Sequence, residues 1–114
     1  MIKVVGIKSC DTCRKALSWL SKQGVDHKFH DLRLDGLEAD RLSGWISAVG
    51  WEKLLNQRST TWRGLSTAEK ADITAEKAEK LMLANPTLIK RPVFEAGKAV
   101  HVGFSEIVQA ALKA

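Results

Sequence analysis

The chain has 114 residues, 45% of them hydrophobic, which suits one ordinary domain and leaves no room for a second. No run approaches the ~20 apolar residues that span a bilayer, and the opening Met1–Val5 is too short for a signal peptide, so a cytoplasmic protein with no membrane role is expected. The net charge of +5 favours an anionic partner, but basic residues run from Lys3 to Lys113 with acidic ones among them. That pattern describes a mixed-charge surface and argues against direct nucleic-acid binding.

Residues 2–7, Ile-Lys-Val-Val-Gly-Ile, are β-branched and apolar and predict a buried first strand, with Lys8-Ser9 as the turn after it. From Asp11 the spacing becomes helical: Cys13, Leu17 and Leu20 recur along one face, and Gly24 supplies the stop. His27 to Leu32 reads as a second strand, parallel to the first, so the chain opens with a βαβ unit. Over residues 37–49, Leu42, Trp45, Ile46 and Val49 form an amphipathic stripe that Gly50 ends. Trp51 to Lys70 is less periodic, whereas Thr74 to Ala84 is helical again through Ala78, Leu81 and Met82 and halts before Pro86. Residues 37–84 therefore read as a helical insert. Beyond Pro92, Val93-Phe94-Glu95 and Ala99-Val100-His101-Val102 flank Ala96-Gly97-Lys98 and predict a hairpin. Ser105 then caps a last helix whose apolar face, Ile107, Val108, Ala111 and Leu112, can lie on the sheet. Strand, helix, strand, insert, strand, strand, helix is the order of an α/β, thioredoxin-like domain of glutaredoxin type, with a four-stranded mixed sheet interrupted by helices.

The chemistry gathers at Lys8-Ser9-Cys10-Asp11-Thr12-Cys13. In a reducing compartment two cysteines separated by two residues make a poor structural staple, which leaves catalysis, redox sensing or metal binding. A free thiol with a pKa near ~8.5 is only about 3% thiolate at pH 7, and the thiolate is the nucleophile. A cysteine at a helix mouth meets the positive end of the helix dipole, and Lys8, Arg14 and Lys15 lie close in sequence, so Cys10 is the candidate nucleophile. Cys13, one turn further along, is the candidate resolving thiol; the alternative is a small apolar residue on the buried face. No metal is expected, because zinc needs two further ligands and His27, His30 and His101 are not spaced to supply them.

Arg91-Pro92 opens the third strand, where proline is tolerated and can be cis. In a thioredoxin-like fold that place faces the cysteines, and Arg91 would offer a planar fork to a carboxylate or oxyanion. Asn56 to Arg63 holds polar donors with Arg58 and Arg63 and reads as a substrate-facing loop. Trp19, Trp45, Trp51 and Trp62 read as packing residues, since nothing arranges them as base-stacking platforms.

Taken jointly, Gly6-Ile7-Lys8-Ser9-Cys10-Asp11-Thr12, Gly50-Trp51-Glu52-Lys53-Leu54-Leu55-Asn56 with Arg58 and Thr60-Thr61-Trp62-Arg63, Ile89-Lys90-Arg91-Pro92, and Val102-Gly103-Phe104-Ser105 resemble the arsenate reductase and Spx family, most closely its YffB-like branch. The resemblance runs nearly end to end. It implies a nucleophilic Cys10 and anion contacts from Arg91; Lys8, Thr12, Arg58, Arg63 and Pro92 are the further candidate substrate contacts. It also implies no bound cofactor, with glutathione as co-substrate, or glutaredoxin in its place. Glutaredoxin-coupled arsenate reductases place three arginines around the oxyanion; here Asn56 and Gly103 stand where two of them fall, and only Arg91 matches. That departure favours a glutathione-linked thiol-disulfide reductase acting on a small thiol, disulfide or oxyanion, with arsenate reduction as one alternative. The Spx branch shares C-x-x-C at this place, so a redox-sensitive regulator binding RNA polymerase is the other alternative.

Overall fold

The structure, a computed structural model, describes residues 1–113. The chain divides into two compact units, Met1–Gly36 with Arg91–Ala114, and Leu37–Lys90. In the first unit the strands β1 (Ile2–Gly6), β2 (His27–Asp31), β3 (Val93–Ala96) and β4 (Ala99–Val102) form one sheet in the order β2-β1-β3-β4. β1 pairs parallel with β2, with Gly6 opposite Asp31, and antiparallel with β3, with Val4 opposite Phe94. This mixed four-stranded sheet is the thioredoxin-like arrangement.

Side chains alternate across a strand, so Ile2 and Val4 share one face of β1. They pack there with Phe94, with Ala16 and Leu20 of α1 (Asp11–Lys22), and with Val108 and Leu112 of the last helix (Glu106–Lys113). Burying each of the larger of these side chains contributes about 1.5–3 kcal/mol. α1 stops where expected: Gly24 takes a positive φ of 67°, a conformation that L side chains avoid. The last helix is capped by Ser105, whose Oγ accepts the Val108 N–H. Lys3, facing the other side of β1, is exposed, so the first strand is not uniformly covered.

The second unit holds α2 (Ala39–Val49), α3 (Trp51–Leu54), α4 (Thr60–Arg63), α5 (Thr67–Lys70), α6 (Ala75–Ala84) and a single 3-10 turn at Pro86–Leu88. α2 buries Leu42 and Trp45, α6 buries Ala78 and Met82, and α3 packs against both helices. The Asn56 N–H donates to Leu88 O and the Lys90 N–H to Leu54 O, each at 2.7 Å, around a bridge between Leu55 and Ile89. The unit therefore runs past Ala84, where the helical periodicity ended, to Lys90.

Of the apolar face expected for the last helix, Val108 and Leu112 pack on the sheet, whereas Ile107 and Ala111 face solvent. Where the sequence predicts a loop over Asn56 to Arg63, the second half is the short helix α4, because Ser59 Oγ accepts the Trp62 N–H at 3.1 Å and caps it. Likewise α5 is nucleated by a capping box in which Ser66 and Glu69 satisfy one another's backbone N–H groups.

Candidate functional site

β1 delivers the chain to a tight turn: the Cys10 N–H donates to Ile7 O at 2.9 Å, and the Arg14 N–H donates to Cys10 O at 3.0 Å to open α1. Cys10 is the residue capping α1, in extended conformation and half-buried, so its sulfur sits at the helix mouth within reach of solvent. The neutral thiol makes no capping hydrogen bond of the kind a serine would make; the first-turn N–H groups act on the charged form. Burial is the largest influence on Cys10 and opposes ionisation. The backbone N–H and thiol of Cys13, the Arg91 guanidinium and the backbone N–H of Thr12 together outweigh it, and hold Cys10 below an ordinary thiol.

Cys13 is the opposite case. It has no exposed surface, and its sulfur packs on the backbone of Gly6, where a Cβ would overlap Sγ. Burial pushes its thiol up to about 11, and the negative charge favoured at Cys10 adds to the shift. At pH 7 only about 0.01% of such a group is thiolate. Thus the pair is polarised, with ionisation favoured at the outer sulfur and opposed at the inner one.

Arg91 reaches the cysteines from the start of β3. The Arg91–Pro92 peptide bond is cis, Pro92 is buried, and Pro92 O accepts the Gly103 N–H at 2.8 Å. Pairing of β3 with β1 through Val5 and Val93 carries Arg91 to the same end of the sheet as the Cys10 turn. Lys8, Cys10, Thr12, Cys13, Arg91 and Pro92 therefore all belong to the first unit. Lys8 is exposed, and Thr12 offers its backbone N–H to Cys10.

Arg58 and Arg63 belong to the second unit, where the Arg63 Nη2 donates to Arg58 O at 3.2 Å and the Arg58 N–H to Asn56 Oδ1 at 3.1 Å. Both side chains are exposed and share one small turn.

Sequence reasoning missed Asp31, a buried carboxylate at the end of β2. Its Oδ2 accepts the Lys8 N–H at 2.9 Å, and its Oδ1 accepts those of Arg33 at 2.8 Å and Leu34 at 3.2 Å. Burial opposes this charge, but the three backbone donors prevail and hold the carboxyl below its ordinary range. Asp31 thereby ties the turn before Cys10 to the turn after β2. The available signal was an aspartate closing a strand just ahead of a turn, where Asp side chains bond to backbone N–H groups.

Among the described residues no three His, Cys, Asp or Glu side chains converge as metal ligands. His27 Nδ1 lies 2.9 Å from Val25 O and His30 Nε2 lies 2.7 Å from Gly36 O, each within hydrogen-bond reach of backbone. Trp19 packs edge-on to Phe104 with ring centroids 5.6 Å apart, and Trp45 is buried, so both serve packing. No described helix is long and apolar enough to cross a membrane.

A family model described as the ArsC family matches residues 5–111. An uncharacterized protein of Haemophilus influenzae is 47% identical over 107 residues, covering 93% of each chain. The global transcriptional regulator Spx of Streptococcus pyogenes is 31% identical over 100 residues, covering 86% of this chain and 74% of its own. Among solved structures, the YffB protein superposes with a TM-score of 0.95 at 43% identity over the whole of both chains.

Proposed function

Since the chain belongs to the ArsC family, we propose that it is a glutathione-linked thiol-disulfide reductase with Cys10 as nucleophile. The observation that carries this reading is the polarised cysteine pair: an accessible thiol held below its ordinary value at a helix mouth beside Arg91, and a buried neighbour pushed up to about 11. The Cys10 thiolate attacks one sulfur of a substrate disulfide, forms a mixed disulfide with it, and expels the other sulfur as a thiolate. Glutathione thiolate then attacks the substrate sulfur of that mixed disulfide, returns the electron pair to Cys10, and leaves as a glutathione disulfide. Arg91 holds substrate carboxylate near the reacting sulfur, with Lys8, Thr12 and Pro92 around it. In this reading the external thiol resolves the mixed disulfide, and the burial of Cys13 supports that choice over an internal disulfide with Cys10. Glutaredoxin can take the place of glutathione in that step.

The test is turnover. Purified protein with glutathione is expected to reduce a glutathione mixed disulfide, and Cys13→Ser to retain that activity while Cys10→Ser loses it. If no disulfide, mixed disulfide or arsenate is reduced above the Cys10→Ser control, the enzyme reading falls. Reduction of arsenate alone would replace it with the arsenate reductase reading.

The likeness to the Spx regulator over 86% of the chain favours a second reading, in which a Cys10–Cys13 disulfide switches a surface that binds RNA polymerase. It predicts a complex with the polymerase that depends on oxidation state. Absence of that complex in both states removes it.

A further inference from the structure

The first unit carries a cavity of about 800 Å³ between α1 and the end of β2 with the turn that follows it. Cavities of roughly 300–1,000 Å³ accommodate drug-sized molecules. Cys10 does not line it, but Lys8 and Cys13 do, so the space adjoins the candidate site without containing the reacting sulfur. Its apolar wall is made by Leu17, Phe29 and Leu34, with the buried Cys13 behind them. Leu17 and Phe29 are only partly buried against the core, and Leu34 keeps 78% of its surface exposed.

The polar wall is asymmetric in what it can still bind. Asp31 spends its oxygens on the N–H groups of Lys8, Arg33 and Leu34, and Asp35 Oδ2 accepts the Asp31 N–H at 3.0 Å. The carboxylates are thus turned to the backbone. The cations of the wall are Lys8 and Arg14. Arg14 gives one N–H to Ser9 O at 3.2 Å and stands 3.9 Å from Asp11, with its side chain 63% exposed. A contact that exposed binds weakly and leaves most of the guanidinium donors open.

We infer that this cavity binds a small organic anion, a carboxylate on an aliphatic body. The carboxylate meets Arg14 and Lys8, and the body covers Leu17, Phe29 and Leu34. This goes beyond the reductase reading and needs no reaction at Cys10, so it is tested on the Cys10→Ser protein, where failure says nothing about turnover. Amide chemical shifts are followed during titration with octanoate, with octyl glucoside as the uncharged control and acetate as the control without a body. Octanoate is expected to shift residues 8–17 and 29–35 saturably, with octyl glucoside about ten-fold weaker and acetate without effect. Leu34→Asp and Arg14→Glu, both at exposed positions, are each expected to weaken octanoate binding about ten-fold while the remaining spectrum stays folded. The proposal is overturned if octanoate produces no saturable shift, if acetate or octyl glucoside does as well, or if both variants bind octanoate as the parent does.

Discussion

Replacing Asp31 by alanine removes the acceptor of three backbone donors, Lys8, Arg33 and Leu34, that lie 2.8–3.2 Å from its oxygens. A hydrogen bond to a charged acceptor contributes about 1.5–3 kcal/mol, and a donor left buried costs more than one that regains water. All three donor residues are exposed, so the low end applies to each, and bonds sharing one carboxylate do not add fully. The expected loss is about 3 kcal/mol, which for a chain of this size lowers Tm by about 12 °C. Asp31→Asn separates the contributions. An amide oxygen in the place of Oδ1 still serves Arg33 and Leu34, whereas an NH2 in the place of Oδ2 meets the Lys8 N–H donor to donor, so about half the loss is expected. The pH dependence has a definite sign. The folded-state pKa lies below that of the unfolded chain, so this stabilisation is complete above the unfolded carboxyl value and is lost as pH falls through the folded one. Urea unfolding of parent and Asp31→Ala protein at neutral and at acid pH reads both effects, and the difference between them should narrow in acid. A loss below about 1 kcal/mol at neutral pH, or a difference that survives acid unchanged, would refute the bracing role of Asp31.

Other outcomes follow from the cysteine pair and its surroundings. Arg91→Ala is expected to slow Cys10 alkylation at neutral pH about ten-fold and to move the midpoint of its pH profile up toward a free thiol, with Arg91→Lys between the two; an unchanged profile would remove Arg91 from thiolate stabilisation. With Cys13 pushed up to about 11, limited iodoacetamide at neutral pH should add one label per chain, on Cys10; mass spectrometry showing early double labelling would contradict the polarised pair. Gly6→Ala places a Cβ against Cys13 Sγ and is expected to cost about 1–3 kcal/mol. Adding Cys13→Ala should recover part of that loss, and strict additivity in the double-mutant cycle would deny the contact.

What could be read in advance was what local physics sets. The strand-to-helix junction at Cys10 follows from a β-branched run giving way to helical spacing within a few residues, and the hairpin follows from Gly97, which takes a φ of 64°. The insert was legible as helices wherever an apolar stripe repeated, as in α2 and α6. It was not legible in α4 and α5, whose four residues are too short to show a period and are held by the Ser59 and Ser66 caps. Serine followed three residues later by glutamate, as in Ser66 and Glu69, was the signal that could have found the second.

By itself the sequence determined the candidate nucleophile, the elements around it and the family resemblance, since propensity, capping and periodicity act between near neighbours. Only the tertiary structure decided that Cys13 lies sealed against Gly6, that Asp31 ties Lys8 to the turn after β2, and that Arg91 arrives beside Cys10. The last two of those pairings depend on sheet register, in which Gly6 meets Asp31 and Val5 meets Val93. Register is a property of strands distant in the chain, so no window of sequence contains it.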